Sequence, residues 1–140
     1  KKFKYESQHE NENSIITLLQ YKDFDMLFMG DAGIKAFNTV EKDIPPNIEV
    51  LKVGHHGGPN VVDKNMLEKM KTEVSIVSTG KNNFGHPNRG TIDVLRETEI
   101  YRTDTHNSIK ISTNGSKYDV LSFDKNKNRY IKSQQYETIH

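Results

Sequence analysis

Three short segments hold the side-chain types that metal-assisted and acid–base chemistry use: Gly30-Asp31-Ala32-Gly33, Gly54-His55-His56-Gly57-Gly58, and the run from Gly80 to Pro87, which carries Lys81, Asn83 and His86. Asp31 stands between glycines after an apolar run, so its carboxylate can be presented with little steric cover, and a carboxylate there can bridge two cations. Asp is also a favoured helix N-cap, and a turn in which Asp31 caps the next helix accounts for the same residues. His55 and His56 follow an apolar run and precede two glycines, which leave room for a ligand to approach. Imidazole nitrogen binds Zn²⁺ readily. Adjacent side chains leaving a strand point in different directions, so one of the pair is expected to be a direct ligand. The other then orients substrate, supports the ligands or is a plain polar loop residue. Direct attachment to the strand favours His55. His86 precedes a proline, which biases it to extended backbone. Beside Lys81 and Asn83 it can steady an oxyanion or a phosphate, or donate a proton. An exposed histidine in a turn is the plainer alternative. His9, His106 and His140 lack comparable settings and read as surface residues.

The elements that must position these residues follow from hydrophobic periodicity. Ile15–Tyr21 and Phe24–Met29 read as two strands about the turn-like Lys22-Asp23. Ile34, Phe37 and Val40 recur at helical spacing until Pro45-Pro46 forbids continuation. Ile48–Val53 is a strand, and Val62, Met66, Leu67 and Met70 mark one helix face. Val74–Ser78 is another strand, followed by the 80–90 loop and a helical face with Ile92 and Leu95. Ile100–Thr103 is a further strand, and Ile109–Ser112 with Lys117–Phe123 forms a hairpin about Asn114-Gly115. Strand–loop–helix units in the middle with hairpins at both ends predict an α/β (α+β) fold, a mixed β-sheet with helices on one face. Loops after strand C-termini collect at one sheet edge, so the loops of Asp31, His55-His56 and His86 are expected to converge.

Composition narrows the chemistry further. The chain of 140 residues fits one domain, and with 20 basic and 19 acidic residues its net charge of +1 marks no nucleic-acid or acidic-substrate field. Without cysteine there is no disulfide, thiolate nucleophile or sulfur-ligated zinc, which leaves His and carboxylate for any metal. No apolar run approaches the ~20 residues of a membrane span. The chain opens on Lys1-Lys2 rather than Met, which sets the expectation of upstream sequence.

Read together, Asn13-Ser14, Gly30-Asp31-Ala32-Gly33, Leu51-Lys52-Val53-Gly54-His55-His56-Gly57, the segment from Ser78 to Pro87, and Tyr101-Arg102-Thr103-Asp104 resemble the later motifs of the metallo-β-lactamase superfamily. They are most similar to those of the C-terminal domain of ComEC-type competence proteins, over roughly residues 11–110. The resemblance implies half of an αββα sandwich with a divalent metal site, Zn or Mn, and hydrolysis, proposed for that domain to be nuclease action on the DNA strand that is not transported. It matches Asp31 to the bridging aspartate, places the late ligand histidine within His55-His56, and gives His86 a contact with substrate or transition state. It further implies a bacterial parent anchored in the cell membrane, with this chain as its soluble domain and single-stranded DNA as a partner.

Three departures qualify that likeness. The H-x-H-x-D-H ligand motif of the superfamily occurs nowhere in the chain, Asn11-Glu12-Asn13-Ser14 stands where the middle ligand histidine falls, and Gly58 replaces a usual serine. The metal site is therefore expected to be incomplete and the chain alone inactive. A half sandwich over residues 1–124, with 125–140 as a polar tail or weak strand, would leave an apolar sheet face to be covered by the missing N-terminal half of the fold or by a second copy as a homodimer. Two other functions fit the same residues: a soluble hydrolase of this fold acting on another ester or lactone, and a non-catalytic truncated domain for binding or assembly.

Overall fold

A computed structural model describes residues 2–3 and 10–139. Strands β1 (Lys2–Phe3), β2 (Ile16–Tyr21), β3 (Phe24–Phe28), β4 (Val50–Lys52), β5 (Val74–Val77) and β6 (Glu99–Arg102) form one six-stranded sheet in sequence order. The first three strands are antiparallel, and β3 to β6 are parallel. Parallel neighbours need crossovers, and these contain α1 (Ile34–Val40), α2 (Lys64–Met70) and α3 (Arg89–Leu95). Local chemistry sets the ends of the last two helices. Asp63 accepts the Met66 N–H at 2.8 Å to start α2, which stops at a left-handed Lys71, and Asn88 accepts the Gly90 N–H at 2.9 Å to start α3.

Alternation along the strands makes two cores, as a period of two residues dictates. Leu27, Leu51, Val53 and Val77 face the helices and pack with Phe37, Met66, Leu67, Met70 and Leu95. Phe24, Met26, Val50, Val74 and Ile76 face the opposite way. The fold is thus the expected mixed sheet with helices on one face. The C-terminal hairpin departs from expectation: it leaves the main sheet. After the single helical turn α4 (Thr103–His106), Asn107 adopts φ 60, and β7 (Ile109–Thr113), β8 (Lys117–Asp124) and β9 (Arg129–Glu137) form a separate antiparallel sheet. Tyr118 and Val120 of β8 are buried against the second face of the large sheet. That face would otherwise expose Phe24, Val50 and Val74 to water, so the chain's own C-terminal sheet covers part of the surface expected to need a partner. A groove of about 460 Å³, lined by Leu19, Phe28, Lys52, Ile76, Ile109 and Ile111, stays open beside it.

His9 and His140 lie outside the described residues. His106, expected at the surface, is half-buried. Its Nδ1 accepts the Arg102 N–H at 3.0 Å and its ring lies 5.4 Å from Tyr101, so it closes the α4 turn.

Candidate active site

The loops after β3, β4 and β5 meet at one edge of the sheet, as the parallel topology requires. In the first, Asp31 donates its N–H to Ser14 Oγ at 3.1 Å. The start of α1 is capped from a distance: the Glu12 carboxylate accepts the Gly33 N–H at 3.2 Å and the Ala36 N–H at 3.0 Å. Asp31 is therefore not the helix cap, and its half-exposed carboxylate is available to the site.

His55 and His56 both adopt positive φ, at 43° and 54°. This conformation costs L-residues about 1 kcal/mol or more each. Glycines on either side let the three loops touch. A Cβ on Gly54 would lie 2.2 Å from the Ala32 carbonyl oxygen, and one on Gly57 would lie 2.9 Å from Pro87 Cβ. The His55 N–H then donates to Gly30 O at 3.1 Å, which joins the first loop to the second.

The two imidazoles have different surroundings. His56 Nδ1 lies 2.8 Å from the Ser78 carbonyl oxygen. A carbonyl only accepts, so Nδ1 carries the proton and Nε2 presents its lone pair. That Nε2 is 4.0 Å from Asp31 Oδ1. The His55 ring instead meets the Asn11 amide nitrogen at 3.3 Å and sits edge-on to His86, with centroids 5.0 Å apart. His56 thus faces Asp31 through its Nε2, while His55, the residue that attachment to the strand favoured, borders the same recess as Asp31.

His86 is held by a residue that sequence reasoning passed over. The Asn82 amide donates to Gly80 O at 2.8 Å and His86 O at 2.6 Å, while its oxygen accepts the N–H groups of Phe84 at 3.0 Å and His86 at 3.1 Å. The loop is also anchored at its base, where the Thr103 hydroxyl accepts the Thr79 N–H at 2.8 Å and donates to Thr79 O at 2.6 Å. His86 Nδ1 is buried without a hydrogen-bond partner. Burial, and then the neighbouring His55 and His56, hold its pKa below the usual imidazole value. Both effects favour the neutral imidazole over the charged one. Gly58 packs against it: a Cβ there would lie 3.0 Å from His86 Cε1, so a glycine at this position gives His86 its room. Lys81 lines a recess of about 210 Å³ with His56, Thr79, Phe84 and His86, whereas Asn83 is exposed and Asn82 does the holding. On the other side of the histidines a recess of about 440 Å³ is lined by Asn11, Asp31, Lys35, His55 and Asn60.

Asp31 and His56 fit two positions of a metal site: one hard carboxylate and one imidazole, its tautomer set by a backbone carbonyl as metal-binding histidines usually are. Among the described residues no group of three His, Cys, Asp or Glu side chains converges on one point. A full ligand set is therefore not present in them. Lys52, in the same motif as the histidines, was also passed over. It is half-buried, donates to Val53 O at 2.8 Å, and has its pKa pulled down by burial and raised in part by Asp31.

The fold and site define a mixed α/β domain with a histidine–carboxylate cluster at the C-terminal edge of parallel strands. Among curated proteins the chain is similar to ComE operon protein 3 of Bacillus subtilis (strain 168), with 28% identity over 106 residues. The match covers 72% of this chain and 14% of that protein, so the chain spans a small part of the relative's length. This likeness agrees with the competence association implied by the sequence motifs. No family model and no solved structure matches the chain.

Proposed function

We propose that this chain is the later half of a metal-dependent hydrolase domain of metallo-β-lactamase type, acting as a nuclease in DNA uptake. The observation that carries the reading is the His56 imidazole, oriented by Ser78 O at 2.8 Å with its Nε2 facing Asp31 at 4.0 Å. The similarity to ComE operon protein 3 supports the setting. Asp31 and His56 would hold a divalent ion, Zn or Mn, together with ligands from outside the described residues. Such an ion supplies Lewis-acid polarisation of a phosphoryl oxygen. The chain's own residues do the positioning. His86 and Lys81 border the recess beside His56, where they would contact phosphate oxygens. Thr103 and Asn82 keep that loop in one conformation before substrate arrives.

A second reading, a non-catalytic module for binding or assembly, is favoured by the lack of a three-ligand group among the described residues. One experiment separates the two. The chain joined to its parent's upstream segment is assayed for Mn²⁺- or Zn²⁺-dependent cleavage of single-stranded DNA, and of ester and lactone substrates. Asp31→Ala and His56→Ala are expected to lower DNA cleavage by about 100-fold or more, and His55→Ala by less. Absence of any hydrolysis supports the non-catalytic module, and an unchanged rate in Asp31→Ala sinks the site assignment.

A further inference from the structure

The Phe84 side chain projects from the His86 loop at 84% exposure. Its ring lies beside the His86 imidazole with an interplanar angle of 25° and centroids 6.2 Å apart, and at that exposure its face is open to solvent. The Asn82 side chain makes five hydrogen bonds within the loop that carries it, three donated and two accepted, so the ring is presented by an ordered turn. Among the described residues the other large exposed apolar side chains, Ile15, Leu19, Tyr21 and Tyr130, lie before or on β2 and on β9. Phe84 is thus a single flat ring among Lys81, Thr79, Asn82 and His56, and not part of an apolar patch of the size that docks another protein.

We propose that Phe84 is a stacking platform for one base of single-stranded nucleic acid lying along the loop edge past Asp31 and His56. An aromatic face beside a cation and polar groups is how proteins hold unpaired bases without reading their sequence. A duplex keeps its bases stacked on each other, which selects the single strand. The proposal deepens the nuclease reading by naming how its substrate is gripped, and binding is measured without catalysis.

The test is fluorescence anisotropy with the whole chain in chelator-containing buffer, using a labelled oligothymidylate and an abasic deoxyribose-phosphate oligomer of the same length. Phe84→Ala is expected to weaken oligothymidylate binding roughly 5- to 150-fold, the range for loss of one stacked base, and to leave abasic binding unchanged. The chain has no tryptophan, so Phe84→Trp introduces a unique reporter. Its emission is expected to be quenched by oligothymidylate and not by the abasic oligomer. Equal binding of the two oligomers by the wild type, or unchanged binding in Phe84→Ala, overturns the platform. Base-dependent binding without metal-dependent cleavage by the longer parent refutes the hydrolase reading and leaves the platform standing.

Discussion

At the scale of single residues, His55 and His56 share a residue type, a loop and a positive φ, yet they differ in what each ring touches. Ser78 O sets the tautomer of His56 and aims its lone pair at Asp31, while His55 is taken up by Asn11 and His86. Gly54 controls this arrangement although it carries no functional group. Its missing side chain lets the Ala32 carbonyl approach a point only 2.2 Å from where a Cβ would sit. Both partners in that contact are backbone, so neither can yield cheaply. Gly54→Ala is expected to destabilise the fold by about 1–3 kcal/mol through overpacking and to separate Asp31 from His56. Chemical denaturation checks the first effect. Long-range proton–nitrogen NMR of the imidazoles follows the displacement of the histidine loop, through loss of the Nδ1–H form of His56 that Ser78 O holds.

At the scale of elements, the Tyr101-Arg102-Thr103-Asp104 block ends β6 and begins α4, and each residue has its task. Tyr101 is buried, Thr103 anchors the His86 loop, and Asp104 accepts Arg102 Nε at 3.0 Å and Nη2 at 2.5 Å. The hydrogen-bonded Arg102 guanidinium holds the Asp104 carboxyl below the usual aspartate range. A carboxyl depressed in the folded state adds stability above its unfolded pKa near 4, and this stability is lost as pH falls through the folded value. Asp104→Asn is therefore expected to cost about 0.5–1 kcal/mol at neutral pH. The wild-type advantage should fade as pH drops below about 4. Denaturation midpoints across that range test both statements, and a constant difference at all pH values would exclude the ion pair as the cause. Helix α1 shows how far an element can depend on distant sequence: its capping carboxylate, Glu12, is 24 positions before the Ala36 N–H it accepts.

For the whole molecule, the decisive contact is between the two sheets. Tyr118 packs at a tilt on Phe24 with centroids 5.3 Å apart, stacks on Tyr136 at 4.8 Å, and donates its hydroxyl to Glu73 at 2.9 Å. Burial, with the Glu73 carboxylate beside it, raises the phenol pKa well above its ordinary value, so the hydroxyl remains a donor. The buried Glu49 carboxylate adds a second tie by accepting the Asp25 N–H at 2.7 Å and the Ile139 N–H at 2.9 Å. Tyr118→Ala is expected to cost about 3–5 kcal/mol, and Tyr118→Phe about 1 kcal/mol for the lost hydrogen bond. If thermal unfolding showed Tyr118→Ala to be near neutral, the C-terminal sheet would not be part of the cooperative fold.

Periodicity and local turn chemistry are legible in the chain because they depend on residues within a few positions of each other. They suffice for the order of strands and helices, for the loops that carry Asp31, His55-His56 and His86, and for the convergence of those loops at one sheet edge. The sequence does not contain, in any local form, the pairings that give these residues their distinct roles. Ser78 chooses the His56 tautomer across 22 positions, Glu12 displaces Asp31 as a cap across 24, and Ile139 reaches Glu49 across 90. These contacts join polar groups far apart in the chain, so no local pattern announces them. Only the tertiary structure decided them, together with the placement of the C-terminal sheet over the second face of the main one.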